Sequence, residues 1–202
     1  TSLVVVMVVS LYQRFTQPHR VGALEFTPHV VDGSGLARGV WGIDSADIDN
    51  DGDIDIVSAG EEGIHVFENT GSEAFEKKVI DSERGIRIQI TDLDGDGMSD
   101  LLTTLDNTPG VKWYRNEGGL EFDGAFIGSG KNAYAHAADL NQDGFNDIAV
   151  AAEEGGSYVI RRWMNDGSGS FTSSTLPSTG NPVITAITVG DIDSDGFPDV
   201  VT

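Results

Sequence analysis

The 202-residue sequence contains no cysteine, which removes disulfide staples, thiolate zinc sites and cysteine nucleophiles while fitting either redox compartment. Basic residues are scarce. Twelve Lys and Arg stand against 33 Asp and Glu, a formal net charge of -21. A chain this acidic lacks what phosphate backbones and anionic membrane surfaces attract, so no nucleic acid is expected and cations are the natural complement. Long apolar runs are missing too. The longest, from Leu3 to Val9, is seven residues, where a membrane span takes about 20, so no transmembrane segment is expected. Helical periodicity is absent beyond a turn or two, which argues against long helices. With 39% apolar and 22% charged residues the composition is that of a folded chain, so the acidity belongs to folded structure and not to a disordered tail.

What is present is a repeat. Residues 47–55, 92–100, 139–147 and 191–199 all follow the pattern D-x-[DN]-x-D-G-x-x-D. Their first positions, Asp47, Asp92, Asp139 and Asp191, are spaced by 45, 47 and 52 residues. A second landmark, aromatic-x-Asn-x-Gly-x-x-x-Phe, keeps the same phase from Phe67 to Phe75, Tyr114 to Phe122 and Trp163 to Phe171. Phe26 fits the end of an earlier copy. After each Asp loop comes an apolar run too short for a helix, as in Ile56-Val57 and Leu101-Leu102. A Gly-rich turn, an alternating stretch such as Ile64 to Phe67, an Asn-x-Gly turn and a Phe-led strand follow. Roughly four short strands per 45 to 50 residues is the size of one propeller blade. The expected fold is therefore all-β, a β-propeller-type array of four-stranded blades with about four repeats over residues 26–202. Residues 1–25 are set apart as an apolar strand or linker, or the remnant of a secretory signal. The pattern stops inside a unit, so the sequence reads as cut from, or completed by, something larger.

The loops carry the chemistry. Carboxylates at positions 1, 3 and 5 of a tight loop converge on one point, and Gly at position 6 permits the positive φ of the sharp turn. Oxygen-only, largely anionic ligand sets select a hard cation, and calcium tolerates them better than magnesium, which demands a strict octahedron. Position 7 varies in side chain, as expected if only its backbone carbonyl contributes, and position 9 closes the site. The expected ligands are Asp47, Asp49, Asp51, Asp53 and Asp55; Asp92, Asp94, Asp96, Met98 and Asp100; Asp139, Asn141, Asp143, Phe145 and Asp147; and Asp191, Asp193, Asp195, Phe197 and Asp199. About four calcium ions (Ca2+) follow. An EF-hand needs a bidentate Glu at position 12 and flanking helices, whereas Ser58, Thr103, Val150 and Thr202 stand there between strand-like flanks. Plain solvated turns are disfavoured electrostatically. The loops hold 16 of the 33 acidic side chains, and two unit charges 4 Å apart repel by ~4 kcal/mol at an effective dielectric of 20. Asn141 gives the third loop one fewer charge, which predicts the weakest site.

These loops, with the apolar run after them and the aromatic-x-Asn-x-Gly turn, resemble the FG-GAP / VCBS repeats, best known from integrin α-subunit propellers. The resemblance covers about residues 26–202. It implies calcium at positions 1, 3, 5, 7 and 9 of each loop, seven blades in the usual ring, and secreted or surface-displayed proteins working in adhesion, recognition or assembly. This chain holds three complete units and part of a fourth. Further blades, closure among four copies, or a strand from another chain would each complete it. The apolar Leu3 to Val9 strand is one candidate donor for a neighbouring copy.

No catalytic constellation is found: His19, His29, His65 and His136 share no repeat position, and no nucleophile elbow, P-loop or dinucleotide fingerprint occurs. His136 reads as a structural histidine. Trp113 and Trp163 read as packing residues rather than sugar-stacking platforms, and Lys77-Lys78 and Arg161-Arg162 as solvated strand faces. The sequence thus predicts an extracellular, non-enzymatic, calcium-stabilised propeller with an adhesive or self-assembling role. The alternatives are a module recognising protein or glycan, and an accessory domain of a larger secreted enzyme.

Overall fold

A computed structural model describes residues 4–6, 29–32, 39–71, 74–106, 110–128, 130–177 and 183–202. Two short strands, β1 (Val4–Val6) and β2 (His29–Asp32), pair antiparallel. Three four-stranded antiparallel sheets follow, each with its strands in chain order. The first comprises β3 (Val40–Ala46), β4 (Asp55–Gly60), β5 (Gly63–Asn69) and β6 (Phe75–Asp81). The second comprises β7 (Gly85–Thr91), β8 (Asp100–Leu105), β9 (Gly110–Asn116) and β10 (Phe122–Gly128). The third comprises β11 (Lys131–Ala138), β12 (Asp147–Glu154), β13 (Ser157–Asn165) and β14 (Phe171–Thr175). A last pair, β15 (Thr188–Gly190) and β16 (Asp199–Val201), brackets the fourth loop. Every Asp loop therefore joins the first and second strands of a sheet, and every Asn-x-Gly turn joins the third and fourth. This is the all-β, propeller-like array that the repeat predicts.

Burial explains the sequence pattern. The second strands, β4 and β8, are buried along their whole length because their sheets are covered on both faces, so they read as continuous apolar runs and not as alternation. One cluster, including Val57, Val66, Ile88 and Leu101, fills the space between the first and second sheets. A second, including Leu102, Val111, Ile148 and Val150, does the same between the second and third. Each such side chain contributes about 1.5–3 kcal/mol by leaving water.

The N-terminal pair belongs to the same repeat. Val4 pairs with Asp32, Val5 with Val30 and Val6 with His29, with an irregularity after Val4. Ile64 pairs with Asp81, His65 with Val79 and Val66 with Lys78, with an irregularity at the same place. β1 and β2 are thus equivalent to β5 and β6, the outer half of a further blade. Asp32 and Asp81 occupy matching positions and both reach the next sheet. Asp32 Oδ2 is 3.1 Å from Lys77 Nζ, and Asp81 Oδ2 lies 2.5 Å from Lys112 Nζ and accepts the Tyr114 hydroxyl at 2.7 Å. These contacts hold the Asp81 carboxyl below the usual range against the cost of its burial. Phe26, expected to end the earlier copy, lies outside the described residues, as do Leu3 and Met7 to Val9 of the expected donor strand. The described part of that strand pairs within its own chain.

Candidate metal centres

In each Asp loop the chain curls around its own carboxylates. Asp47 accepts the Asp51 amide at 3.1 Å on Oδ1 and the Gly52 amide at 3.0 Å on Oδ2, and Asp51 Oδ1 accepts the Asp53 amide at 2.8 Å. Asp139 and Asp191 repeat both of the Asp47 contacts, and Asp92 repeats the one to the glycine. Position 6 has the expected left-handed backbone, with φ of 98°, 85°, 95° and 91° at Gly52, Gly97, Gly144 and Gly196. Position 4 is left-handed as well. There Asn50, Gln142 and Ser194 carry side chains at φ of 62° to 64°, a strain that the sequence does not reveal.

Carboxylate oxygens converge in three loops. Those of Asp47, Asp49 and Asp55, of Asp92, Asp94 and Asp96, and of Asp191, Asp193 and Asp199 lie within 4.8 Å of one another. The donor set is all oxygen and anionic, the chemistry that suits calcium. In the third loop Asn141 replaces a carboxylate, and its amide donates to Asp143 Oδ2 at 2.8 Å. Asp51, Asp100 and Asp195 stand in their loops outside the three groups. The second loop carries a cation of its own: Arg115 Nε is 2.5 Å from Asp94 Oδ2. Calcium binding at the loops is expected to be weakest at the Asp139 loop, and Arg115→Gln is expected to tighten the Asp92 loop by about fivefold through loss of a competing charge. Titration of single-loop variants by calorimetry or terbium luminescence checks both; filling of the Asp139 loop first would sink the ranking.

Position 9 does more than close the loop. Asp55, Asp100 and Asp147 are fully buried. Each accepts one amide from loop position 2 (Ile48, Leu93 and Leu140, all at 3.0 Å) and one from the repeated asparagine (Asn69 and Asn116 at 2.8 Å, Asn165 at 2.7 Å). Burial raises all three carboxyls against these hydrogen bonds, Asp100 to about 6. A carboxyl raised in the folded state favours folding below its unfolded value of about 3.9, and that contribution is lost as pH rises through about 6. Because the lowered imidazoles of His65 and His136 act in the opposite sense over the same window, the carboxyl contribution is read against Asp100→Asn: in ion-free protein the melting temperature of that variant is expected to gain on the parent's as pH rises from 4.5 to 7. Asp81, whose carboxyl is lowered, would lose its contribution only below this window. A difference between the two proteins that stays constant across this window would contradict the assignment.

The asparagine side chains are the part of the site that sequence reasoning missed, having read them as turn formers. They do form the turn, since Asn69, Asn116 and Asn165 accept the amides of Gly71, Gly118 and Gly167 at 3.0–3.1 Å. In addition, Asn116 Nδ2 donates to Ser99 O at 3.0 Å in its own loop and to Ile48 O at 3.2 Å in the preceding one. Asn165 Nδ2 likewise joins Asn146 O at 2.9 Å and Leu93 O at 2.6 Å. Asn116 and Asn165 thus each bind their own loop to the loop of the blade before it, whereas Asn69 Nδ2 donates to Ile54 O at 3.2 Å in its own loop.

The remaining candidates sort into structural roles. Trp113 and Trp163 pack against the second core cluster, as expected. His65 is buried and its imidazole is pushed down to about 4 by desolvation, then by Lys77. His136 lies on β11 before the third loop, its imidazole lowered by burial. The paired cations are more engaged than solvated faces would be: Lys77 binds Asp32 and Lys78 binds Glu121 at 2.8 Å, while Arg161 grips Glu154 through two bonds of 3.0 and 2.7 Å. No helix among the described residues is long and apolar enough to cross a membrane.

The model of the FG-GAP-like repeat family matches residues 92–150 and 139–202. No curated protein sequence matches the chain. Among solved structures, the fold is similar to that of a lectin from Agrocybe aegerita described as specifically recognising non-reducing terminal N-acetylglucosamine. The TM-score is 0.61 at 21% identity, over 90% of this chain and 52% of that one. The chain thus spans about half the length of that lectin, and the likeness shows the fold. With residues 92–202, more than half of its length, under the family model and with the loop and turn of that repeat in register along its sheets, the chain belongs to the FG-GAP-like repeat family.

Proposed function

We propose that the chain is a calcium-stabilised, non-enzymatic propeller module that works outside the cell in recognition or adhesion. The carrying observation is the set of three loops, the first, second and fourth, in which three carboxylate oxygens crowd within 4.8 Å, positions 1 and 3 taking part each time. Like charges held this close in a chain of net charge -21 call for a cation. The ions would be structural: each loop joins the first and second strands of its blade, so an ion there fixes the hairpin and, through the buried position-9 aspartate and the asparagine, the neighbouring blade. The test is calcium titration of chelator-treated protein by calorimetry. Binding of three or four ions is the expected result, and no binding at millimolar calcium would overturn the reading.

Glycan recognition is the reading of the module's task that the comparison favours, because the similar fold is that of a lectin. A glycan array probed in calcium, with N-acetylglucosamine-terminated chains included, checks it. Retention by a ligand on the array supports recognition. A module that instead forms calcium-dependent oligomers on gel filtration and binds no glycan supports self-assembly.

A further inference from the structure

A cleft of about 500 Å³ opens where β3, β7 and β11, the first strands of three successive blades, come together, and no loop aspartate lines it. That volume lies in the range of small-ligand sites, roughly 300–1,000 Å³. The strands approach closely, since a Cβ on Gly42 would fall 2.8 Å from Arg87 Cα. Part of the wall is committed to holding blades together. Asp44 Oδ2 accepts the Ile90 amide at 2.9 Å, and Gln89 exchanges bonds of 3.0 and 2.9 Å with Ala137.

Three further groups in the wall take no part in those hydrogen bonds. Thr104 is 1% exposed, and its hydroxyl has no hydrogen-bond partner. Such a group costs its full desolvation unless something else satisfies it. Arg87 is the cross-strand partner of Thr104, so the two side chains share a face with Cβ atoms about 5 Å apart. Its guanidinium lies over the Tyr134 ring at 5.3 Å and reaches Thr185 O only at 3.5 Å, with no carboxylate at ion-pair distance among the described residues. Trp41 is 45% exposed; Arg84 covers it at 4.6 Å and is itself held by Asp106 at 2.9 Å. An exposed indole, a guanidinium without a carboxylate and a buried hydroxyl without a partner ask for one ligand with a C–H face, an anionic group and hydroxyl edges.

We propose that this cleft is a subsite for a carboxylate-bearing pyranose, a uronic acid residue of a glycan. Its ring lies on Trp41, its carboxylate pairs with Arg87 and a ring hydroxyl bonds Thr104. The assignment rests on the glycan-recognition reading and names the sugar class and the place. The Asp44 carboxylate in the same wall is held by the Ile90 and Ser45 amides and does not contact the sugar acid in this arrangement.

The test is ligand-observed saturation-transfer NMR on the full chain in calcium, titrating sodium galacturonate, sodium glucuronate and glucose. Saturable binding of a uronate is expected, with glucose at least about tenfold weaker, the size of one charge-assisted contact. Arg87→Gln is expected to remove that preference. Thr104→Val keeps the shape and removes the unpartnered hydroxyl, so it should weaken uronate binding about fivefold while leaving the melting temperature unchanged or higher. No saturable binding of either uronate, equal binding of glucose, or an Arg87→Gln protein that binds as the parent does would overturn the proposal. Array binding to N-acetylglucosamine chains with no uronate signal would overturn this site while leaving the recognition reading in place.

Discussion

Chelation with EDTA is expected to lower the melting temperature of this protein by more than about 20 °C. An ion that binds only the folded state, present at 100 times its dissociation constant, adds about 2.7 kcal/mol, so four such ions add about 11 kcal/mol. For a chain of this size each kcal/mol shifts the melting temperature by roughly 2–4 °C. The structural reason is local. Asp47, Asp49 and Asp55 hold oxygens within 4.8 Å, and without an ion their repulsion opposes the hairpin that β3 and β4 must form. The effect should return on adding calcium and not on adding sodium to the same ionic strength. A melt that does not move in EDTA would remove structural calcium from consideration.

Asn116→Ala is expected to destabilise the protein by about 3 kcal/mol, and Asn69→Ala by only about 1 kcal/mol. The two residues occupy the same place in the repeat but differ in what they reach. Asn116 is 1% exposed, and its side chain makes three hydrogen bonds, to Ile48 O, Ser99 O and the Gly118 amide. Its loss leaves the carbonyl of a fully buried Ile48 without that donor. The Asn69 side chain bonds Ile54 O at 3.2 Å and the Gly71 amide at 3.1 Å, near the surface and, among the described residues, within its own blade. Urea denaturation of the two variants in calcium measures the difference. Equal losses would show that the turn carries the effect and that the bond to the neighbouring blade adds nothing.

Much of this was legible because a repeat multiplies its own signal. Four aspartate patterns in register place the loops, and the runs after them, such as Ile148-Ala149-Val150, announce strands covered on both faces. What stayed hidden depends on neighbours in space. Asn116 and Ile48 are 68 positions apart, so no local pattern ties the asparagine to the preceding loop. The strain at Gln142 and Ser194 is a backbone property on which residue type gives little guidance. The cleft is illegible for the opposite reason to the loops. At its repeated positions the residue types change from blade to blade, Asp44 to Gln89 to His136, so nothing recurs for the eye to catch. The N-terminal valines show the same limit: their composition indicates a strand, and only the register against His29–Asp32 shows which strand of a blade they form.

The reach of Asn116 and Asn165 back to the preceding loops gives the array a direction. The carbonyl of Ile48 receives its donor from blade residues that leave the ribosome 68 positions later, and the carbonyl of Leu93 waits 72 positions for Asn165. During synthesis each hairpin would emerge with one end still open and be locked only when its successor arrived. The growing chain would mature as a wave running one blade behind the point of elongation, with an unlocked hairpin always nearest the ribosome.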